Sequence, residues 1–128
     1  MAIHYRTKAI ILKKQDQGEA DRIFTVYTEK FGKLDLRAIS ERKITSKLRG
    51  GLELFYLSDI EFIQGKFQKT LVDASVLESY RGFRSDLVRL QIVFRMGELL
   101  DRIIKGQEAD ENIWNLLNEV FETLNQNE

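Results

Sequence analysis

Near Tyr80 the apolar residues change their spacing, and that change sets the fold class. Before it they recur at every second position or in short runs; after it they recur at every third or fourth. Residues 33–39 alternate cleanly, with Leu34, Leu36 and Ala38 on one side and Lys33, Asp35 and Arg37 on the other. That is the pattern of a half-buried antiparallel strand, and it points Arg37 outward. Residues 7–14, 22–28, 53–64 and 69–78 read as four more strands, separated by turn clusters around Gly18, Gly32 and Gly65. Five short strands with one long connection after the third predict a small closed barrel, which also removes exposed strand edges. The OB-fold is the candidate that fits, with a short helical turn within residues 41–49.

From residue 80 the reading is helical. Phe83, Leu87, Leu90 and Phe94 form one stripe, and Ile92, Met96, Leu99 and Ile103 form another. Two stripes predict a helix buried on more than one side. Gly106 is placed to end it, and Asp110 to cap the next. Ile113, Leu116, Leu117, Val120, Phe121 and Leu124 then make one continuous stripe. The expected organisation is β + α: an OB-fold nucleic-acid-binding domain over residues 1–79 and a small helical segment of two helices over 80–128. Two helices make a thin layer. The apolar surface of residues 83–104 needs cover from the barrel, another chain or further sequence.

Charge divides along the same line. Residues 1–79 hold 14 Lys and Arg against 11 Asp and Glu, a net +3; residues 80–128 hold 6 against 9, a net −3. The whole chain is neutral and so is no general polyanion binder, but its first part suits one. The absence of Cys excludes disulfides and thiolate metal sites. No apolar run approaches a membrane span and no signal-peptide pattern opens the chain, so a cytoplasmic protein without membrane contact is expected. No cofactor motif is present.

The basic charge concentrates in residues 37–51. Arg37, Arg42, Lys43, Lys47 and Arg49 stand there against a single acid, Glu41, with hydroxyls at Ser40, Thr45 and Ser46 and a closing Gly50-Gly51. Cations and hydroxyls are the groups that meet phosphate oxygens, and long loops in compact domains often carry function. The plainer alternative is a surface hairpin with solvated lysines. Aromatic residues run through the strand half, most of them expected in the core. Tyr27 and Tyr56 are the two chosen as able to stack on bases, because a phenol tolerates water; a core role with a satisfied hydroxyl is the alternative for each.

Catalytic constellations are weak. His4 is the one histidine and lies near the N-terminus without an obvious partner. Asp16, Glu19 and Asp21 crowd a turn, where self-capping explains them better than a metal ion. Asp59 and Glu61 share a strand face, which a polar outer surface explains equally well. Gly50-Gly51 is not followed by a Lys-Ser/Thr pair, so a nucleotide-hydrolysing loop is unsupported.

Several ordered pieces carry a family resemblance. They are Tyr5-Arg6-Thr7-Lys8-Ala9-Ile10-Ile11-Leu12-Lys13, Gly18-Glu19-Ala20-Asp21-Arg22, Thr28-Glu29-Lys30-Phe31-Gly32-Lys33, the basic loop, Arg49-Gly50-Gly51-Leu52-Glu53-Leu54-Phe55 and Val76-Leu77-Glu78-Ser79-Tyr80. In order and spacing over residues 5–80 they resemble the bacterial recombination mediator and DNA repair family RecO. The resemblance implies an N-terminal OB-fold followed by a helical domain. It implies binding and annealing of single-stranded DNA, with a RecR-like protein and single-stranded DNA-binding protein as partners. It carries DNA contact over to Arg37, Arg42, Lys43, Lys47 and Arg49, and a structural turn to Gly18, Glu19, Asp21 and Arg22. The chain departs from the family in a less basic loop, in lacking the Cys cluster of many members, and in ending before the family's helical domain is complete.

Two functions of different kind follow. One is a non-enzymatic DNA-binding module of recombinational repair. The other is an OB-fold protein-interaction module with little DNA affinity. A small enzyme dependent on Asp59 or Glu61 has the least support.

Overall fold

The first strand is buried on both faces, and this organises the molecule. The structure is a computed structural model that describes residues 3–41 and 48–126, Arg49 by its backbone alone. Strand β1 (His4–Gln17) pairs antiparallel with β2 (Asp21–Thr28) on one side and β4 (Leu57–Gln64) on the other. Ala9, Ile10, Ile11 and Leu12 are all buried, an apolar run without alternation. Such a run signals a strand covered on both sides. Ala9 and Ile11 face one core; Ile10 and Leu12 face a second.

The strands close in the order β1-β2-β3-β5-β4, with β3 at Gly32–Ala38 and β5 at Lys69–Glu78. Every pairing is antiparallel except β3 with β5, a short parallel seam of Leu36 with Lys69 and Arg37 with Thr70. This is the five-stranded OB-fold barrel expected from the sequence. Phe24, Val26, Leu34, Leu36, Ile60, Phe62 and Leu71 fill it. A 3-10 turn at Arg49–Gly51 follows the third strand's long connection, and Leu48 and Leu52 on its flanks enter the same core. Gly51 packs so closely on β5 that a Cβ there would lie 2.6 Å from the Ala74 carbonyl oxygen.

Three helices follow: α1 (Arg81–Arg84), α2 (Leu87–Ile103) and α3 (Glu111–Asn125). Asp86 caps α2 by accepting from the Val88 and Arg89 amides, and Asp110 caps α3 through those of Asn112 and Ile113. The helices pack on the outer face of β1 and β2. Their core joins Ile10, Leu12, Tyr27 and Phe55 to Phe83, Val93, Trp114, Leu117 and Phe121. A cluster of aromatic rings knits it, with Phe121 centred 5.4 Å from Tyr80, 5.5 Å from Phe83 and 6.3 Å from Phe55.

Several element boundaries differ from the expected ones. Strand β1 opens at His4 and not at residue 7, because His4, Tyr5 and Arg6 already pair with β4. Strand β1 runs through Gln17, because Gln15, Asp16 and Gln17 continue the β1–β2 ladder out to the tip at Gly18. Strand β4 starts at Leu57 and not at residue 53. Phe55 has a positive φ of 65° and its amide bonds the Ile11 carbonyl, turning its ring into the helical core. The first helix is broken at Ser85 and Asp86, where Asp86 turns extended to cap α2. The helical turn expected within residues 41–49 falls mainly outside the described residues.

Candidate nucleic-acid interface

The turn between β1 and β2 fixes the start of the basic loop. Asp21 accepts from Arg37 Nη2 at 2.8 Å and from the Ser40 amide at 2.6 Å. That second bond holds Ser40 at a φ of 59°, a left-handed conformation unusual outside glycine. Arg22 donates to Asp16 at 2.8 Å and its other nitrogen lies 3.3 Å from the buried Glu41. At the far end, Leu48 and Leu52 anchor the chain in the barrel core, and the Ser58 hydroxyl donates to the Gly51 carbonyl at 2.6 Å. The loop is therefore pinned at both of its roots.

The expected DNA-contacting residues divide accordingly. Arg42, Lys43 and Lys47 lie outside the described residues, as does the side chain of Arg49. Arg37 does lie on the outer side of β3, but its guanidinium is paired with Asp21. Tyr27 is 1% exposed, sits against Trp114 in the helical core and donates to the Asp110 carbonyl at 3.5 Å. Burial, with Asp110 nearby, raises its pKa above the ordinary phenol value. Its ring offers no face to a base. Tyr56 is half-buried, and one face of its ring is occupied by the Arg84 guanidinium at 4.7 Å. Arg84 also donates to the Ser79 and Leu54 carbonyls, and burial lowers its pKa.

Asp59 and Glu61 are paired. Arg6 reaches Asp59 at 3.0 Å and Glu61 at 2.8 Å across the β1–β4 ladder, and Asp73 on β5 at 3.6 Å. His4 Nδ1 lies 2.7 Å from Glu61, and this contact together with Arg6 lowers the Glu61 pKa. Among the described residues no group of His, Asp and Glu is placed to hold a metal ion.

What the sequence reading passed over is the tip of the β4–β5 hairpin. Phe67 is 91% exposed there, with Lys66 Nζ 5.3 Å from its ring centre. Beside it runs a groove of about 340 Å³ between β3, β5 and the segment joining α2 to α3, lined by Arg37, Phe67, Lys69 and Lys105 among others. Lys69 and Lys105 make no ion pair among the described residues, whereas Lys33, also in the groove, is held by Asp101 at 3.2 Å. The available signal was an aromatic residue between lysines in the turn Gly65-Lys66-Phe67-Gln68-Lys69. A strand-half Phe is ordinarily core, and that prior hid it.

Residues 1–80 match the family described as Recombination protein O N terminal. The chain belongs to the RecO N-terminal family. Its relatives include the DNA repair protein RecO of Gloeothece citriformis, 32% identical over 126 residues, covering 98% of this chain and 44% of that protein. That of Dehalococcoides mccartyi strain 195 is 35% identical over 120 residues, covering 94% and 47%. That of Heliobacterium modesticaldum is 37% identical over 99 residues, covering 77% and 36%. The chain thus spans less than half the length of these RecO proteins. No helix among the described residues is long and apolar enough to cross a membrane.

Proposed function

We propose that this RecO-family chain is a non-enzymatic DNA-binding domain of recombinational repair that holds single-stranded DNA. In this reading Arg42, Lys43, Lys47 and Arg49 meet phosphates, with Arg37 at the root of their loop. A RecR-like protein and single-stranded DNA-binding protein are its partners in annealing. The family match over residues 1–80 carries the reading. The OB-fold supports it, because barrels of this type commonly bind oligonucleotides across strands 2–3 and the adjoining loops.

Binding to phosphates releases counterions, so affinity for a labelled single-stranded oligonucleotide falls steeply with salt. Replacing Lys43, Lys47 and Arg49 together by Ala removes up to three phosphate contacts. The log–log salt slope then shrinks by about 2, from roughly 0.7 per contact on a single strand. A variant slope equal to the parent's removes the loop from the account.

A second reading, a protein-interaction module, has its own observation. Leu87, Val88, Leu99, Ile103 and Leu116 on α2 and α3 are more than half exposed. A partner bound there with no oligonucleotide binding at low salt would favour this reading over the first.

A further inference from the structure

Among the described residues Phe67 belongs to neither core. It is the most exposed large apolar residue among those described, at the tip of a hairpin whose backbone is already closed by the Gly65 amide on the Gln68 carbonyl at 2.9 Å. A single exposed apolar side chain is ordinary. This one differs in its surroundings. Lys66 sits over its ring, and among the described residues Lys69 and Lys105, which line the groove that it borders, make no ion pair.

The groove continues, past Leu34, Lys69 and Gln107, into a second depression of about 230 Å³. That depression is aromatic. Tyr5 stacks on Phe62 at 5.4 Å, and Phe31 stands edge-on to both at 5.4 and 5.6 Å. Tyr5 and Phe31 are only partly buried, so their rings line it alongside Gln64 and Gln107, whose amides both donate and accept. An exposed ring, an aromatic recess beside it and ammonium groups along the groove match one ligand chemistry: planar bases strung on a phosphate chain.

We infer that Phe67 and the Tyr5–Phe31 recess form a base-stacking subsite for single-stranded nucleic acid, with Lys66, Lys69 and Lys105 meeting the phosphates alongside. This rests on the single-stranded DNA reading above and names where bases, as distinct from phosphates, are held. The subsite lies at the β4–β5 hairpin, not at Tyr27 or Tyr56. Stacking is largely indifferent to base identity, so no sequence preference is expected from it.

The test is fluorescence anisotropy of the full chain with a labelled oligo(dT) and with an abasic oligomer of the same length and charge. The parent is expected to bind oligo(dT) more tightly. Phe67→Ala is expected to weaken oligo(dT) binding about 5- to 100-fold and to leave abasic binding unchanged, the size of one lost stacking contact. Phe67→Trp is expected to retain binding, with emission quenched on adding oligo(dT). At 91% exposure the side chain contributes nothing to the core, so both variants fold. If the parent prefers oligo(dT) but Phe67→Ala binds it as tightly as the parent, the subsite is overturned and the DNA reading stands. Equal weakening for both ligands, or no preference for bases in the parent, also overturns the subsite. Failure of the parent to bind either oligomer overturns both.

Discussion

Replacing Phe121 by Ala tests whether barrel and helices share one core. Phe121 is wholly buried, and the rings around it come from three places: Phe55 just before β4, Tyr80 at the end of the barrel, and Phe83 in α1. Truncating a buried Phe costs about 3–5 kcal/mol, combining lost transfer energy with the cavity left behind. Domains of this kind are stable by about 5–15 kcal/mol, so the loss is a large fraction of the whole. With a urea m-value of about 2 kcal/mol/M, a loss of about 4 kcal/mol lowers the midpoint by about 2 M. Trp114 is the one tryptophan, buried among the helices, and its emission reports their unfolding. Amide exchange at Val26 and Ile60 reports the barrel. A shared core predicts that both readouts move together. Barrel amides that keep the parent's protection while the Trp114 transition shifts would refute it, and would make the helices a separately melting layer.

Three other substitutions follow from the same structure. Gly32 has a φ of +70° and a Cβ there would lie 2.5 Å from the Glu108 carbonyl oxygen; Gly18 has a similar φ of +65°, but no atom of the described residues would lie within 4 Å of a Cβ there. Gly32→Ala should therefore destabilise by about 2 kcal/mol or more, and Gly18→Ala by about 1 kcal/mol, the cost of the left-handed conformation alone; equal midpoints in thermal or urea melts would contradict the packing of the α2–α3 segment on the β2–β3 turn. Tyr80 is buried, and burial, with Glu78 and Glu122 nearby, raises its pKa from 10.0 to about 12. The unfolded chain then gives up this proton first, so the contribution to stability is whole below pH 10 and is lost as pH rises toward 12. Tyr80→Phe should flatten the alkaline fall in urea midpoint over that window, and an unchanged profile would count against the burial argument.

The barrel was legible because its strands carry their burial in their spelling. The alternation at residues 33–39 and the glycine turns mark strands and hairpins without tertiary information. One cap was legible too: Asp110 bonds the amides that its position before a helical stripe predicts, whereas the Asp86 cap falls inside what reads as one helix. What failed was anything decided by a contact distant in sequence. Phe55 reads as part of a strand, but it is turned by the Ile11 carbonyl and drawn into a core completed by residues 80–121. Tyr27 reads as a water-tolerant ring near cations, yet α3 covers it, and no local pattern announces α3's position. Phe67 shows the converse. A residue type that is usually core lies in the open, because a four-residue turn lifts it beyond the barrel's end. The Asp21 bonds to Arg37 and Ser40 were similarly invisible, since they join residues 16 and 19 positions apart. The family resemblance over residues 5–80 supplied what spacing alone did not, and the family match over residues 1–80 agrees with it.

On the proposed reading, single-stranded DNA lies across the β3, β4–β5 end of the barrel. An amide chemical-shift titration of the isotope-labelled chain with oligo(dT) tests it most directly. The largest shifts are expected at residues 5, 31–37, 42–51, 66–70 and 105–107, shrinking as salt is raised. Shifts confined to the exposed apolar face of α2 and α3, or no shifts at low salt, would contradict it.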